Sequence, residues 1–415
     1  MIRSYPDALA FLKTFTDYER MASVYTPGDY NLERMRRLLS AVGNPERAFL
    51  SLHIAGTKGK GSTAHLAEAL LREAGYRTGL YTSPHLIDLR ERIRLDGTPI
   101  READFTRVMA TMEPQLRRLK PTYFETMTAV AFLAFAEQGV DYAVVEVGLG
   151  GRLDATNVLR PAACAITTID YDHMDKLGHT LEAIAGEKAG ILKPGVPAVS
   201  SPQAPAARRV LNARGPVAYP RFRVLSSRGF VLKFTVEGRR YDLPVLGEHQ
   251  AANAATALAL VERSGAIVSP GTARRAFRKI RLPGRVERVG RRPTMIVDAA
   301  HNPVSARALA AALESVPRRR LLLVFGASAD KDYRSMLRTL LPAADLAIFT
   351  KAASPRAAAP SDLMKVAKGR PAVAAGSVAR ALALARKAAG PEDAIVVTGS
   401  FYVAGEALGL LKFHE

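Results

Sequence analysis

The chain has 415 residues, of which 48% are hydrophobic and 24% are charged, a globular composition that allows two or three domains with a well-buried core. No apolar run reaches membrane-spanning length, and the N-terminus lacks the apolar core of a signal peptide. The only cysteine, Cys164, cannot form an internal disulfide. These features predict a cytoplasmic protein without a membrane partner.

The formal net charge is +20. Such an excess can serve nucleic acid, an anionic membrane surface or acidic small molecules, or it can be a solvated arginine-rich surface. The basic residues occur in short clusters, and aromatic residues do not interleave with them as they would in a base-stacking surface. The charge alone does not identify a partner.

Strand-like apolar runs alternate with helix-like segments in the first part of the chain. These runs cover residues 48–54, 78–81, 142–147, 164–169 and the region near 196–200. The alternation predicts parallel sheets covered by helices. Residues 123–138 are predicted to form a buried helix, residues 216–246 a small antiparallel sheet, and residues 250–264 and 272–278 two further helices.

The strand–helix alternation restarts after a boundary near residues 281–285. The later strand-like runs cover residues 294–298, 320–325, 346–350, 372–375 and 394–398. We therefore predict an α/β protein with two domains, residues 1–280 with a mostly parallel sheet and residues 281–415 with a smaller doubly wound, Rossmann-like fold.

A glycine-rich segment between a predicted strand and a helix is the most informative motif. Gly56, Gly59 and Gly61 allow backbone N–H groups to turn toward one anion, and the helix N-terminus adds its positive end. Lys60 is placed to reach the outer phosphates, with Ser62 or Thr63 as a hydroxyl donor. The match to a P-loop is imperfect, since Ile54 replaces the first glycine and Gly61 separates Lys60 from Ser62. A tight strand–helix turn is the competing interpretation.

Polar residues follow three other predicted strands, where ligands bind in open parallel sheets. Ser83, Glu146 and His173 each lie at such a strand end. A carboxylate near a phosphate loop commonly holds Mg²⁺, and an oxygen-rich set with one imidazole suits Mg²⁺ or Mn²⁺ better than zinc. An ion pair between Glu146 and Arg152, or a purely structural histidine, is the alternative. Asp298 and His301 end the first strand of the second domain and can contact a nucleotide from the far side of a cleft.

The motifs together resemble the folylpolyglutamate synthase / dihydrofolate synthase family of the Mur ligase superfamily. The matching segments, in chain order, are GTKGKGS, YTSPHL, TYFE, EVGLGGRLDATN, DHMDKLG, EKAGILKPG, GEHQAAN, LPGR, DAAHNP, FGASADKD and TGSFYVAGE. They extend over nearly the whole chain. The resemblance implies a P-loop, Mur-ligase-like central domain, here residues 1–280, that binds ATP and carries a pteroate pocket. It also implies a C-terminal ligase domain that closes over ATP and glutamate.

The resemblance also implies residue roles. ATP contacts fall on Gly56, Thr57, Lys58, Gly59, Lys60, Gly61, Ser62, Asn253, Arg285 and Asp298. Magnesium ligands fall on Ser83, Glu146 and His173, with two magnesium sites expected. The pteroate pocket falls on Thr122, Tyr123, Phe124, Glu125 and Leu153. Lys60, Lys188 and His301 are the catalytic candidates; Lys188 matches a lysine that the family carboxylates with CO₂, and His301 is the candidate base.

The implied reaction activates a carboxylate as an acyl phosphate and then joins it to L-glutamate. Dihydropteroate and reduced folates are both expected as acceptors, by a monomer that binds no nucleic acid. Ala299, Lys58 and the pair Asp170–Tyr171 depart from the commoner family residues without removing a proposed ligand. A Mur-type cell-wall ligase is a competing hypothesis, although few residues precede the loop. A basic P-loop NTPase that binds nucleic acid is another.

Overall fold

A computed structural model of the protein describes residues 1–18 and 31–412. Its largest sheet has eight strands in the order β4-β3-β2-β5-β1-β6-β7-β8. The strands are β1 (Leu50–Ala55), β2 (Thr78–Tyr81), β3 (Ile93–Leu95), β4 (Thr98–Pro99), β5 (Tyr142–Glu146), β6 (Ala163–Ile166), β7 (Ala198–Ser200) and β8 (Val217–Ala218). The six strands from β2 to β8 in this order are parallel, and β3 and β4 extend the β2 edge as an antiparallel ribbon.

Two further sheets follow. A three-stranded antiparallel sheet contains β9 (Phe222–Arg228), β10 (Val231–Val236) and β11 (Arg239–Leu243). A six-stranded sheet has the order β12-β13-β17-β14-β15-β16, and only the β12–β13 pair is antiparallel. Its strands are β12 (Glu287–Arg291), β13 (Thr294–Val297), β14 (Leu321–Phe325), β15 (Leu346–Phe349), β16 (Ala372–Ala374) and β17 (Ala394–Thr398).

Helices cover both parallel sheets. In the first 280 residues they are α1 (Tyr5–Leu12), α2 (Leu32–Ser40), α3 (Lys60–Glu73), α4 (Glu102–Leu119), α5 (Tyr123–Glu137), α6 (Met174–Leu177), α7 (Leu181–Lys188), α8 (Pro205–Asn212), α9 (His249–Arg263) and α10 (Pro270–Lys279). Later helices are α11 (Pro303–Glu314), α12 (Tyr333–Leu340), α13 (Pro360–Met364), α14 (Val378–Ala388) and α15 (Phe401–Lys412). No described helix is long and apolar enough to cross a membrane.

The central strands of the large sheet are buried on both faces. Leu52, Ile54 and Val144 pack on the side of α3, α9 and the three-stranded sheet, whereas Ala143 and Val145 pack on the side of α4 and α5. Continuous apolar runs are the expected sequence signature of such strands, because neither face meets water. The predicted α/β class and the antiparallel insert are confirmed. The predicted boundary at residue 281 lies between α10 and β12.

Candidate active site

The glycine-rich loop joins β1 to α3 and is fixed against the neighbouring strand β6. The backbone N–H groups of Thr57 and Lys58 both donate to the carbonyl of Thr168, at 2.9 and 3.1 Å. Gly56 has φ of +148°, and a Cβ there would lie 1.9 Å from the Thr167 hydroxyl. The loop therefore requires glycine at position 56 for both its backbone conformation and its close packing.

Gly59 ends the loop and directly precedes α3. Its φ is +89°, and a Cβ would lie 2.3 Å from Oδ1 of Asn253, whose amide in turn donates to Gln250 at 2.9 Å. The structure thus brings Asn253 of α9 against the loop. Helix α3 starts at Lys60, directly after Gly59, so the positive end of the helix points into the loop region.

Lys60, Glu146 and Ser83 come together at the ends of adjacent strands. The ammonium of Lys60 lies 3.9 Å from Oε1 of Glu146, and the Ser83 backbone N–H donates to Oε2 at 3.3 Å. Glu146 is only 5% exposed, and burial raises its pKa although Lys60 opposes the shift. Arg152 pairs instead with Glu187, at 2.9 Å, so the alternative ion pair with Glu146 is not formed. A buried carboxylate with so few partners is available to a ligand.

His173 occupies the loop after β6, beside the phosphate loop. Its side chain is 47% exposed, and partial loss of hydration together with repulsion from nearby lysines lowers the pKa of the imidazole to about 4. The ring is then neutral at physiological pH and able to ligate a metal. Its neighbour Asp172 accepts a hydrogen bond from Lys58 at 2.6 Å. No direct contact joins His173 to Glu146. Among residues 1–18 and 31–412, no group of three or more His, Cys, Asp and Glu side chains is arranged to hold a metal.

Lys188 is buried at the end of α7, 4% exposed, and donates to the Gly56 carbonyl at 3.0 Å. Burial, with repulsion from Lys60, lowers the pKa of its amine to about 7. The sequence pattern does not distinguish Lys188 from a solvated lysine at a helix end, and only the family resemblance indicates a special role for it. The structure supplies the physical basis, an amine that is substantially neutral near pH 7.

The start of the six-stranded sheet faces this site. The carboxylate of Asp298 accepts the backbone N–H groups of Val286 and Ala300, at 2.9 and 2.8 Å, which ties the segment around Arg285 to the end of β13. His301 has Nδ1 3.0 Å from the Ala299 carbonyl. Because a carbonyl can only accept, Nδ1 carries the proton and Nε2 keeps its lone pair. Burial lowers the pKa of His301 to about 3, so the ring is neutral.

One cleft collects residues from both parts of the chain. Its lining includes Ser62 of the loop, Ser83, Glu146, Arg285 and Phe401 of α15. The guanidinium of Arg285 lies 5.2 Å from the centre of the Phe401 ring. Five of the predicted residues therefore border one space, namely Gly61, Ser62, Ser83, Glu146 and Arg285. The other predicted residues, among them Lys60, His173, Asn253, Asp298 and His301, are not part of its lining.

Four of the predicted pteroate residues lie at the start of α5, and the fifth, Leu153, lies in the segment after β5. Thr122 is the helix N-cap, and Glu125 completes a capping box while also pairing with Arg34 at 2.8 Å. Phe124 packs on the backbone after β5, since a Cβ on Gly148 would lie 2.5 Å from its ring. The Tyr123 ring is buried; Leu153 is half-buried. The capping role of Thr122 and Glu125 stabilises the helix that presents Phe124.

Two acidic residues have roles that the sequence did not predict. Asp154 accepts hydrogen bonds from the Leu149 N–H at 3.0 Å and from the Thr156 hydroxyl, which fixes the glycine-rich turn after Glu146. Asp172 also accepts a hydrogen bond at 3.3 Å from the side-chain amide of Asn302, the N-cap of α11 in the second domain. The position of Asp154 in the LDATN segment was the available signal for the first role, whereas no local pattern indicated the second.

Two protein-family models match the chain. The Mur ligase middle domain matches residues 54–212, which include the glycine-rich loop, Glu146 and Lys188. The model "Mur ligase, glutamate ligase domain" matches residues 284–401, which include Asp298 and His301. Together with the site, these matches define the class of the protein: it is an ATP-dependent amide ligase.

Similarity extends over full-length relatives. The dihydrofolate synthase/folylpolyglutamate synthase of Bacillus subtilis (strain 168) is 33% identical over 438 residues, covering 99% of this chain and 100% of the relative. The chain therefore belongs to the dihydrofolate synthase/folylpolyglutamate synthase family. The predicted family is confirmed.

Solved structures of relatives share the fold. Escherichia coli FolC in complex with DHPP and ADP has a TM-score of 0.88 and 30% identity, with 99% of this chain and 98% of that chain covered. The bifunctional folylpolyglutamate synthase/dihydrofolate synthase of Yersinia pestis, complexed with AMPPNP and a Mn ion, has a TM-score of 0.86 and 30% identity, with the same coverage. The fold of this chain is that of these nucleotide-binding ligases.

Proposed function

We propose that this chain joins L-glutamate to dihydropteroate and to reduced folate (poly)glutamates, with hydrolysis of ATP to ADP and phosphate. One observation carries the proposal: a single strand end connects the phosphate loop to an aromatic pocket. Glu146 lies 3.9 Å from Lys60, and Gly148, two residues later, packs on Phe124. An aromatic ring bound beside Phe124 would extend its carboxylate toward the loop.

In the first step, a carboxylate oxygen of the acceptor bonds to the γ-phosphorus of ATP and the bond to ADP breaks, giving an acyl phosphate. Lys60, at the N-terminus of α3, offsets negative charge on the transferred phosphoryl group. The loop N–H groups that are not bonded to the Thr168 carbonyl, together with Asn253, would hold the nucleotide, and Arg285 and Asp298 would contact it from the second domain. Closure of the second sheet over ATP would exclude water from the acyl phosphate.

In the second step, the neutral amine of glutamate attacks the acyl carbon, phosphate leaves, and the amine proton passes to a base. We assign this role to His301 because its Nε2 keeps a lone pair. Burial lowers the pKa of the ring to about 3, so His301 is a weak base until negative charge in the bound site raises that pKa. The amide and phosphate are the products. His301 directly precedes Asn302, the N-cap of α11, so the start of that helix constrains its position.

The donor set fits a magnesium ion. Glu146 offers buried carboxylate oxygens, Ser83 a hydroxyl and His173 a neutral imidazole. Bound Mg²⁺ would neutralise charge on the phosphate oxygens. We further propose that the uncharged form of Lys188 forms an N–C bond to CO₂ with loss of one proton, which provides an oxygen donor for a second Mg²⁺.

The acceptor pocket is proposed to consist of Thr122, Tyr123, Phe124, Glu125 and Leu153. Since the side chains of Thr122 and Glu125 already cap α5, we assign ring packing to Phe124 and Leu153. The remaining parts of the proposal are a monomeric enzyme, a cytoplasmic location and no nucleic-acid partner.

The test is an assay with ATP, Mg²⁺ and L-glutamate, with dihydropteroate or tetrahydrofolate offered in parallel. Phosphate release and a mass increase of one glutamyl residue are expected with both acceptors. Turnover with one acceptor would restrict the proposal to that activity, and no turnover with either would refute it. Turnover only with a nucleotide-sugar acceptor would instead favour a cell-wall ligase. ATP hydrolysis stimulated by nucleic acid would favour an NTPase.

A further inference from the structure

Asp172 connects the phosphate loop to the six-stranded sheet. Its Oδ2 accepts from the Lys58 ammonium at 2.6 Å and from the Asn302 amide at 3.3 Å. Lys58 belongs to the glycine-rich loop, and Asn302 lies 130 residues further along the chain than Asp172. The side chains of Lys58 and Asp172 are 22% and 18% exposed, so water screens this pair only in part.

Asn302 has a defined orientation because it caps α11. Its Oδ1 accepts from the Ser305 N–H at 3.0 Å and from the Ser305 hydroxyl at 2.8 Å, which leaves Nδ2 to reach Asp172. His301 is the preceding residue. A shift of the Asn302 side chain would therefore move the start of α11 and His301, the proposed base.

We propose that Asp172 is a positioning residue that links nucleotide binding at the loop to closure of the six-stranded sheet, by releasing Lys58 while it keeps Asn302. The inference rests on the proposed binding of ATP. Phosphate oxygens entering the loop compete with Asp172 for the Lys58 ammonium. As Lys58 turns to the phosphates, the Asn302 amide remains the donor to Oδ2 of Asp172, while Oδ1 still accepts from the His173 backbone N–H, and the contact between the two halves strengthens.

The proposed role of Asp172 predicts different effects for substitutions at Asp172 and at Asn302. Asp172→Asn removes the anion that competes for Lys58, so ADP should bind about 3- to 10-fold more tightly, as expected for loss of one partly screened ion pair. Asn302→Asp keeps the cap of α11 but places two carboxylates in contact. It should leave ADP affinity within about twofold, abolish nucleotide-induced closure and lower kcat about tenfold.

The double variant Asp172→Asn with Asn302→Asp exchanges donor and acceptor across the contact. If the two residues act independently, the double variant should keep the low kcat of Asn302→Asp, whereas the proposed link predicts recovery of closure and of kcat to within about threefold of the unmodified protein. Asp175→Asn is the matched control, since it removes the same charge from an exposed position three residues away. It should change neither ADP affinity nor closure.

Closure can be measured as the distance between spin labels introduced by Ile267→Cys and Lys387→Cys, both exposed positions, because the native Cys164 is buried and will not be labelled. ADP affinity is measured by calorimetry. Unchanged closure in Asn302→Asp, or a double variant no better than that single variant, would overturn the inference alone. Failure of the unmodified protein to bind ADP would overturn the proposed function as well.

Discussion

Replacing Glu146 by glutamine should separate stability from activity. At 3.9 Å and an effective dielectric constant of about 20, the attraction of Lys60 for Glu146 is about 4 kcal/mol. The pKa of Glu146 is nevertheless raised, so the loss of hydration outweighs this attraction. The folded protein thus disfavours the ionised form, and this cost is present above the folded-state pKa and disappears as pH falls below it.

Glutamine is neutral and nearly isosteric, so Glu146→Gln should leave the unfolding free energy at pH 7 unchanged or raise it by up to about 2 kcal/mol. Activity should fall by about 100-fold or more, because a proposed magnesium ligand is lost. Denaturant titrations and kcat/KM at varied Mg²⁺ measure the two effects. A loss of more than about 3 kcal/mol would make the residue structural, and activity within tenfold of wild type with the same Mg²⁺ dependence would refute its metal role.

Three other tests address the loop, the buried lysine and the ring pocket. At position 59, φ is +89° and a Cβ would lie 2.3 Å from Asn253 Oδ1. Gly59→Ala should therefore lower the unfolding free energy by about 1–3 kcal/mol and weaken ADP binding in calorimetry. Gly75 has a similar φ of +96° but open space around it, so Gly75→Ala should lower the unfolding free energy only through backbone strain and leave ADP binding unchanged. With its pKa at about 7, Lys188 should give a ¹³C-carbamate NMR signal from labelled bicarbonate that rises from about pH 6 to about pH 8; no signal in that range would refute carboxylation. Phe124→Ala should raise the KM for folate at least about tenfold, from lost ring burial, with ADP affinity unchanged; an unchanged KM would remove Phe124 from the pocket.

The sequence predicted strands well where burial on both faces demanded continuous apolar residues. Leu52 and Val144 are examples, because they lie in the middle of the large sheet. The ribbon β3–β4 and the edge strand β12 were missed, since they are short and carry polar residues.

The candidate site was predictable where chemistry follows a strand end. Glu146 and Ser83 meet because the carboxyl ends of neighbouring parallel strands share one sheet edge. The contact of Asp172 with Asn302 was not predictable, because it depends on how two separately folded sheets face each other across 130 residues of sequence. The low pKa of Lys188 depends on burial against the loop, which a residue type does not reveal.

The lysines around the loop explain why a polyanion is the ligand that this site favours. Burial lowers the pKa of Lys58, and repulsion from the neighbouring Lys60 lowers it further. Keeping these cations close together and partly out of water costs stability in the ligand-free protein. A bound triphosphate would remove this repulsion and replace the lost hydration. The same lysines that lower the stability of the ligand-free protein would therefore favour ATP binding at the proposed site. This pairing of local instability with affinity is expected of a preorganised phosphoryl-transfer site.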